Sequence, residues 1–520
     1  MADMLVIPVL GGEPFMEKPP LYYWTAAGFM RLLARWMGEP DAARMASGFF
    51  MLITCWAVAA ATRVWWGAVA ARYAPLLVLA CLGALTQTHM MMPDVPLLTG
   101  FALSAWGFAR VLAQPNLGGL LIGLGTGVAF LSKGIIGPAV IALTCLLLPA
   151  CFAQWRSTAY VRGLAIAVVV AAPLLTIWPT RLYDQSPEQF KIWFWENNFG
   201  RFFGFGAVRT GTEHPSGFWT QTLPWFTFPA LPLAAHVLWR ERRQVMTHPG
   251  VQYALIAFAV TLAMLITSQS VRAIYALPLL VPLAILAAPS VFSINARLDW
   301  FWAANSVMVF GALAGLLWLV WGIMMISDAP PPWHWLLRVL PADFEPEFDA
   351  PIAFAAVVVT IGALLALRHF ARLPGRGLTT WFIGLTLVWS LLSTLWMPWL
   401  DYGKSYRLVF EDIPWPATTN CIASLGLGES ERAMLDYVAG RTTVRLEIQP
   451  GADCNLLLFQ GYVPIGNQIV DQTKWEKIWE GARPGDDWQR FWLFRARHAD
   501  GHESKANAPA STAGSWRRGV

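Results

Sequence analysis

The chain has 520 residues, of which 56% are hydrophobic and only 13% charged, about half the charged share of an ordinary soluble domain. Its net charge of +5 comes from basic residues scattered between apolar runs rather than gathered on one face, which excludes a soluble globular enzyme and a nucleic-acid binder. The composition is that of an integral membrane protein.

Residues 1–42 precede any segment able to cross a bilayer and carry "EKPP" at 17–20. Pro19 and Pro20 fix the backbone and stop a helix from extending back through them, so Glu17 and Lys18 are held at a defined start of the next helix. An ordinary exposed ion pair ahead of a proline-capped helix is the alternative. The following "PLYYWTAAGFMRLLARWM", 20–37, has aromatic and arginine residues around an apolar stripe, the pattern of an interfacial helix.

Runs long enough to cross ~30 Å of hydrocarbon as helices follow at 43–63, 70–91, 95–113, 118–133, 135–152, 162–181, 216–240, 250–267, 272–292, 300–326, 350–372 and 377–398. These are about twelve spans, too apolar and too long for β-barrel strands. Arg63 and Arg72, Arg110, Arg156 and Arg162, Arg240 to Arg243, Arg297, and Arg368 to Arg376 fall in every second connection, which the positive-inside rule assigns to the cytoplasm. The segment before 43, the turn at 92–94, the turn at Lys133, the loop 182–215, residues 268–271, the loop 327–349 and everything after 399 then face outward. No signal-peptide pattern precedes the first outward segment. A short tail could be translocated unaided, but an additional helix upstream is the expectation.

The loop 182–215 mixes aromatic with charged residues and is expected to hold a second interfacial helix. Residues 43–398, with this loop, form the transmembrane domain. After 399 the composition turns soluble: "TTVRLEIQ" and "NLLLFQGYVPI" read as strands and "ESERAMLDYVAG" as a helix ending at a glycine cap. A small outward-facing α/β domain at 399–499 is expected, with a disordered tail at 500–520. Cys421 and Cys454 lie in it, where an oxidising compartment permits a disulfide; Cys55, Cys81, Cys145 and Cys151 lie in apolar spans.

Ionisable residues near the outer boundary are the functional candidates. Asp94, at the start of a span, needs a partner or a task, unless it merely caps the helix. Lys18, Arg201, Arg272 and Lys133 would place cations beside the hydrocarbon, where a phosphate on a lipid anchor is a natural ligand; arginines snorkelling to headgroups are the alternative. Glu17 and His214 offer a carboxylate and an imidazole to a divalent metal, but lie too far apart in the chain to define a ligand spacing.

In order along the chain, "IPVLGGEPFMEKPPLYYW", "MPDVPLL", "FLSKGIIGP", "WENNFGRFFG" followed by "EHPSGFW", and "SVRAIYALPLLVPLAIL" resemble the bacterial aminoarabinose transferases and the protein-mannosyltransferase-like families. Those are polyprenyl-phosphate-dependent glycosyltransferases of the GT-C fold. The resemblance implies an all-α polytopic membrane protein with a small periplasmic α/β domain. Lys18, Arg201 and Arg272 would hold the donor phosphate with Tyr275 lining the site, Glu17 and His214 would bind zinc or magnesium, and Asp94 would be an auxiliary acid. It also implies a further helix, roughly a thirteenth, and an acidic loop upstream carrying the principal base. The expected donor is a polyprenyl-phosphate sugar. The acceptor would be lipid A, another glycan or a protein, and the place the periplasmic face of a bacterial inner membrane. Asn197 and Asn198 stand where relatives often have Glu-His, and Arg272 where Lys is common, which leaves the sugar open. A lipid-linked-sugar transporter or flippase, or an inactive paralogue that retains donor binding, is the rival reading. A transporter would carry its charges near mid-membrane, whereas these cluster at one face.

Overall fold

The computed structural model describes residues 5–205, 217–240, 242–243, 247–337, 340–370, 372–417, 419–463 and 470–497. The chain divides into a helical unit, residues 1–331 with 345–398, and a second unit, residues 332–344 with 399–520. Residues 332–344, which the sequence places in an outer loop of the membrane domain, thus group with the C-terminal unit.

Among the described residues, eight helices are long and apolar enough to cross a membrane. This is a multi-pass membrane protein. A two-stranded turn, β1 (Val9–Leu10) paired antiparallel with β2 (Glu13–Pro14), precedes α1 (Leu21–Met37), whose Trp36 and Leu32 are exposed, as an interfacial helix requires. Helix α2 (Glu39–Ala80) is one 42-residue element in which Gly67, at φ +82°, breaks the helical path. It therefore contains the expected 43–63 span and the start of the next, which continues as α3 (Leu82–Gln87). The expected 216–240 span is likewise interrupted, because Phe218–Phe226 and Ala230–Arg240 are separate helices.

The site depends on α4 (Asp94–Val111), α5 (Pro115–Lys133), α6 (Ile136–Cys151) and α7 (Thr158–Gln185). Helices α4 and α5 are joined by a short turn and meet along small residues. A Cβ at Gly100 would come within 2.6 Å of the Gly125 carbonyl, and one at Gly107 within 2.7 Å of that of Gly118. Lipid supplies no hydrophobic drive between helices, so close backbone approach through small residues is what holds such a pair together. The hairpin brings Asp94, the first residue of α4, to Lys133, the last of α5. Arg110 lies in the last turn of the 18-residue α4, about 24 Å away at the opposite end of the pair.

The segment Leu280–Ala287 is buried at every residue and forms the centre of the helical unit. The helix Ala350–Phe370, by contrast, buries only Ala356, so its apolar surface is left for lipid.

The second unit is a five-stranded sheet in the order β4-β3-β5-β7-β6, built from β3 (Ile422–Leu425), β4 (Val444–Arg445), β5 (Leu456–Tyr462), β6 (Trp475–Gly481) and β7 (Gln489–Ala496). β3 runs parallel to β4 and β5, and β7 antiparallel to β5 and β6. The helix Glu429–Ala439 ends at Gly440 in the left-handed region (φ +61°), as its sequence indicates. The strand expected in "TTVRLEIQ" shrinks to two residues, and β6 and β7 went unread. Cys421 and Cys454 form a disulfide that ties together the starts of two neighbouring strands, β3 and β5. The buried Glu431 accepts hydrogen bonds from the Tyr406 hydroxyl (2.8 Å) and the Gln460 amide (3.1 Å), so this acid has its partners within the unit.

Candidate functional site

Glu17 and Lys18 are fixed from both sides in the chain. Met16 is buried beside Phe130, Trp178, Leu182 and Trp193, and Pro19 and Pro20 are buried at the start of α1. After α7 and the short α8 (Pro187–Lys191), Ile192–Gly200 forms a π-helix that carries Arg201 to Glu17. The guanidinium of Arg201 engages both carboxylate oxygens, Nη1 donating to Oε2 at 3.4 Å and Nη2 donating to Oε1. Lys18 Nζ lies 3.9 Å from Glu17 Oε2 and donates to the Glu17 carbonyl at 3.2 Å. A second pair, Lys133 with Asp94, sits on the helix hairpin; their side chains are only 11% and 2% exposed. Lys133 Nζ also stands 3.6 Å from the centre of the Tyr275 ring, a cation–π contact that fixes the ammonium from a second direction.

The electrostatics favour an anion. Among the described residues, three cations, Lys18, Lys133 and Arg201, face two acids, Glu17 and Asp94, an excess of one positive charge. Burial, then the charge of Arg201, pulls Lys18 down to about 8; Glu17 opposes the shift, Lys133 adds to it, and Asp94 opposes it. Burial works to raise the Glu17 carboxyl, but Lys18, the Arg201 hydrogen bond and charge, and Arg272 outweigh it and hold Glu17 below its ordinary value.

Lys18, Lys133, Arg201 and Tyr275 line one cavity of about 250 Å³ together with Leu97, Phe101, Val140, Met264 and Leu265. Its charged end and its apolar walls match a ligand with an anionic head and a hydrocarbon body.

The structure therefore brings together Glu17, Lys18, Asp94, Arg201 and Tyr275. Arg272 is exposed and outside the cavity lining, although Glu17 senses its charge. His214 lies outside the described residues. Asp94 is not a lone acid, since its carboxylate is bound by Lys133, and it begins α4 without acting as a side-chain cap. The expected metal pair of Glu17 and His214 has only Glu17 among the described residues. Glu17 is already held by two cations, and among the described residues no three His, Cys, Asp or Glu side chains gather to hold an ion. In the sequence Lys133 is one of four cations beside the hydrocarbon and Asn197 and Asn198 stand out only as departures from the family pattern; Gly134 directly after Lys133, left-handed in the structure, was the available signal.

Residues 17–178 match the family described as dolichyl-phosphate-mannose-protein mannosyltransferase. Over 96% of its length the chain superposes on the crystal structure of ArnT from Cupriavidus metallidurans bound to undecaprenyl phosphate, covering 91% of that chain at a TM-score of 0.68 and 16% identity. The chain has the GT-C fold. Among curated proteins it is 24% identical over 380 residues to the undecaprenyl phosphate-alpha-4-amino-4-deoxy-L-arabinose arabinosyl transferase of Serratia proteamaculans, covering 64% of this chain and 65% of the relative. To the enzyme of that name from Pseudomonas savastanoi pv. phaseolicola it is 26% identical over 296 residues, covering 54% and 52%. The chain thus spans between half and two thirds of the length of these curated relatives.

Proposed function

We propose that the chain is a membrane glycosyltransferase that moves a sugar from a polyprenyl-phosphate donor to lipid A, another glycan or a protein. The observation that carries this reading is the largely buried group Lys18, Arg201 and Lys133 lining one cavity with mainly apolar walls. The relatives' names, which specify undecaprenyl-phosphate-linked aminoarabinose, support this donor class.

The donor phosphate is a diester with about one negative charge. When the bond between the sugar carbon and the phosphate oxygen breaks, the electron pair stays on that oxygen and the phosphate approaches two charges. The site's excess of one positive charge rises to two with Arg272 at its rim, so its field is better matched to the departing phosphate than to the bound donor. Interactions that strengthen in the transition state are those that accelerate the reaction. The acceptor hydroxyl attacks the sugar carbon from the opposite face, inverting it, and its proton goes to a carboxylate. Asp94, held by Lys133, is the auxiliary acid that fixes that cation rather than the principal base. Zinc or magnesium at Glu17 and His214 would add Lewis acidity, but Glu17 is engaged by cations and no step is assigned to a metal.

The site faces the periplasm in this proposal. Asp94 and Lys133 lie at the end of the α4–α5 pair opposite Arg110, the end that the positive-inside rule places outside, and the Cys421–Cys454 disulfide belongs to an oxidising compartment.

The test is release of free undecaprenyl phosphate from labelled donor by the full chain in nanodiscs, with and without acceptor. Acceptor-dependent release is expected, and Lys18→Ala or Arg201→Ala should cut it about 10- to 100-fold, the range for one charge-assisted contact. Acceptor-independent movement of intact donor across the bilayer would instead mark a flippase.

A further inference from the structure

The cations of the site sit on separate stretches of chain: Lys18 before α1, Lys133 at the end of α5, Arg272 after the helix Pro249–Thr267, and Arg201 just after the π-helix. Their mutual repulsion would spread them unless something ties the stretches together. Each is tied to the same short segment, residues 197–202. The Asn197 side-chain amide donates to the Met16 carbonyl at 3.0 Å, two residues before Lys18. The backbone N–H of Ile135, two residues after Lys133, donates to Asn198 Oδ1 at 3.1 Å. The backbone N–H of Gln269, three residues before Arg272, donates to the Phe202 carbonyl at 3.1 Å. Arg201 lies within the segment itself, and its own N–H donates to the carbonyls of Asn198 and Glu196.

Asn198 has a double part. Its Nδ2 donates to the Trp193 carbonyl five residues back at 2.8 Å, spanning the wide turn of the π-helix, while its Oδ1 receives Ile135. Trp193 is buried against Phe130 and Trp178, which anchors the segment in the helical unit. Gly134 is at φ +75°, and the space its Cβ would occupy is filled by Asn198 Oδ1, so the turn after Lys133 is shaped around this amide. π-helical turns are rare and recur at functional sites because the extra residue per turn redirects side chains.

We propose that Asn197 and Asn198 are positioning residues: through the π-helical segment they hold the loops bearing Lys18 and Lys133 at the spacing that the donor phosphate requires. This rests on the donor-phosphate reading above. It gives a role to the Asn-Asn pair that stands where relatives often have Glu-His.

The experiment measures undecaprenyl phosphate affinity and the ligand-free thermal midpoint of the full chain in nanodiscs, as two double-mutant cycles. Asn198→Ala should weaken binding about tenfold, the scale of one well-placed hydrogen bond, with little change in midpoint. In a Lys133→Ala background the same substitution should cost less than about threefold, because the group it positions is gone. Asn197→Ala paired with Lys18→Ala should behave alike, and that cycle answers the question if Asn198→Ala fails to fold. Equal losses with and without the lysine, or no loss at all, overturn the positioning role while leaving the donor site standing, provided Lys18→Ala and Arg201→Ala themselves bind poorly. Parent-like binding by those two variants overturns the donor reading, and the positioning role falls with it.

Discussion

Lys18 shows how much one buried charge governs here. Its side chain is 14% exposed, and its ammonium is held at about 8 instead of the usual lysine value of 10.5. Between those two values the unfolded chain keeps a proton that the folded chain has released. Fold stability without ligand should therefore rise as pH climbs through this window. Binding of undecaprenyl phosphate runs the other way: once Lys18 is neutral the phosphate has lost a cation, while the phosphate itself has already reached its full charge well below pH 8. Affinity should fall as pH passes about 8, whereas Lys18→Arg, which does not titrate there, should flatten the profile. A pH titration of binding beside thermal midpoints checks both slopes, and parallel slopes would contradict the assignment. Glu17→Gln should move the lysine further down, since Glu17 is the largest influence opposing its shift, and so bring the loss of affinity to lower pH.

At the scale of elements, two glycines separate fold from site. Gly107 lies in the α4–α5 contact, far along the helix from Asp94, with the Gly118 carbonyl 2.7 Å from where a Cβ would sit. Gly107→Leu should cost about 1–3 kcal/mol through overpacking and lower the thermal midpoint, with undecaprenyl phosphate affinity of the folded protein changed little. Gly134→Ala is different in kind. A Cβ at φ +75° is strained by about 1–3 kcal/mol and meets Asn198, so it should reduce both midpoint and affinity. Had the turn at Gly134 been merely a connection, affinity would stay at the parent value. The sequence made the helices legible, because long apolar runs have one stable answer in lipid. It did not reveal the break between Phe226 and Ala230, which interrupts a stretch that stays apolar throughout, whereas the break at Gly67 falls in the connection expected between Arg63 and Arg72.

For the molecule as a whole, the disulfide gives the most direct check on orientation. Its sequence separation of 33 corresponds to about 3–4 kcal/mol of loop-closure stabilisation, so Cys421→Ser should make the C-terminal unit markedly more sensitive to protease. In intact cells, an impermeant thiol reagent should label Cys421 and Cys454 from outside after reduction and leave them unlabelled before. Labelling only from the cytoplasmic side would reverse the topology.

By itself the sequence determined that the chain is a helical membrane protein, that its informative charges fall on one side, and that Glu17, Lys18, Asp94 and Arg201 deserve scrutiny. Each of these follows from local properties, namely hydropathy, loop charge and the cost of burying an ion. Only the tertiary structure decided which charge meets which: Arg201 clasps Glu17, Asp94 is spent on Lys133, and Arg272 stays at the rim. The role of Asn197 and Asn198 was likewise invisible, because an asparagine side chain acts through hydrogen bonds to backbone far away in the chain. Such partners carry no signature in composition or spacing; they exist only once the helices have packed.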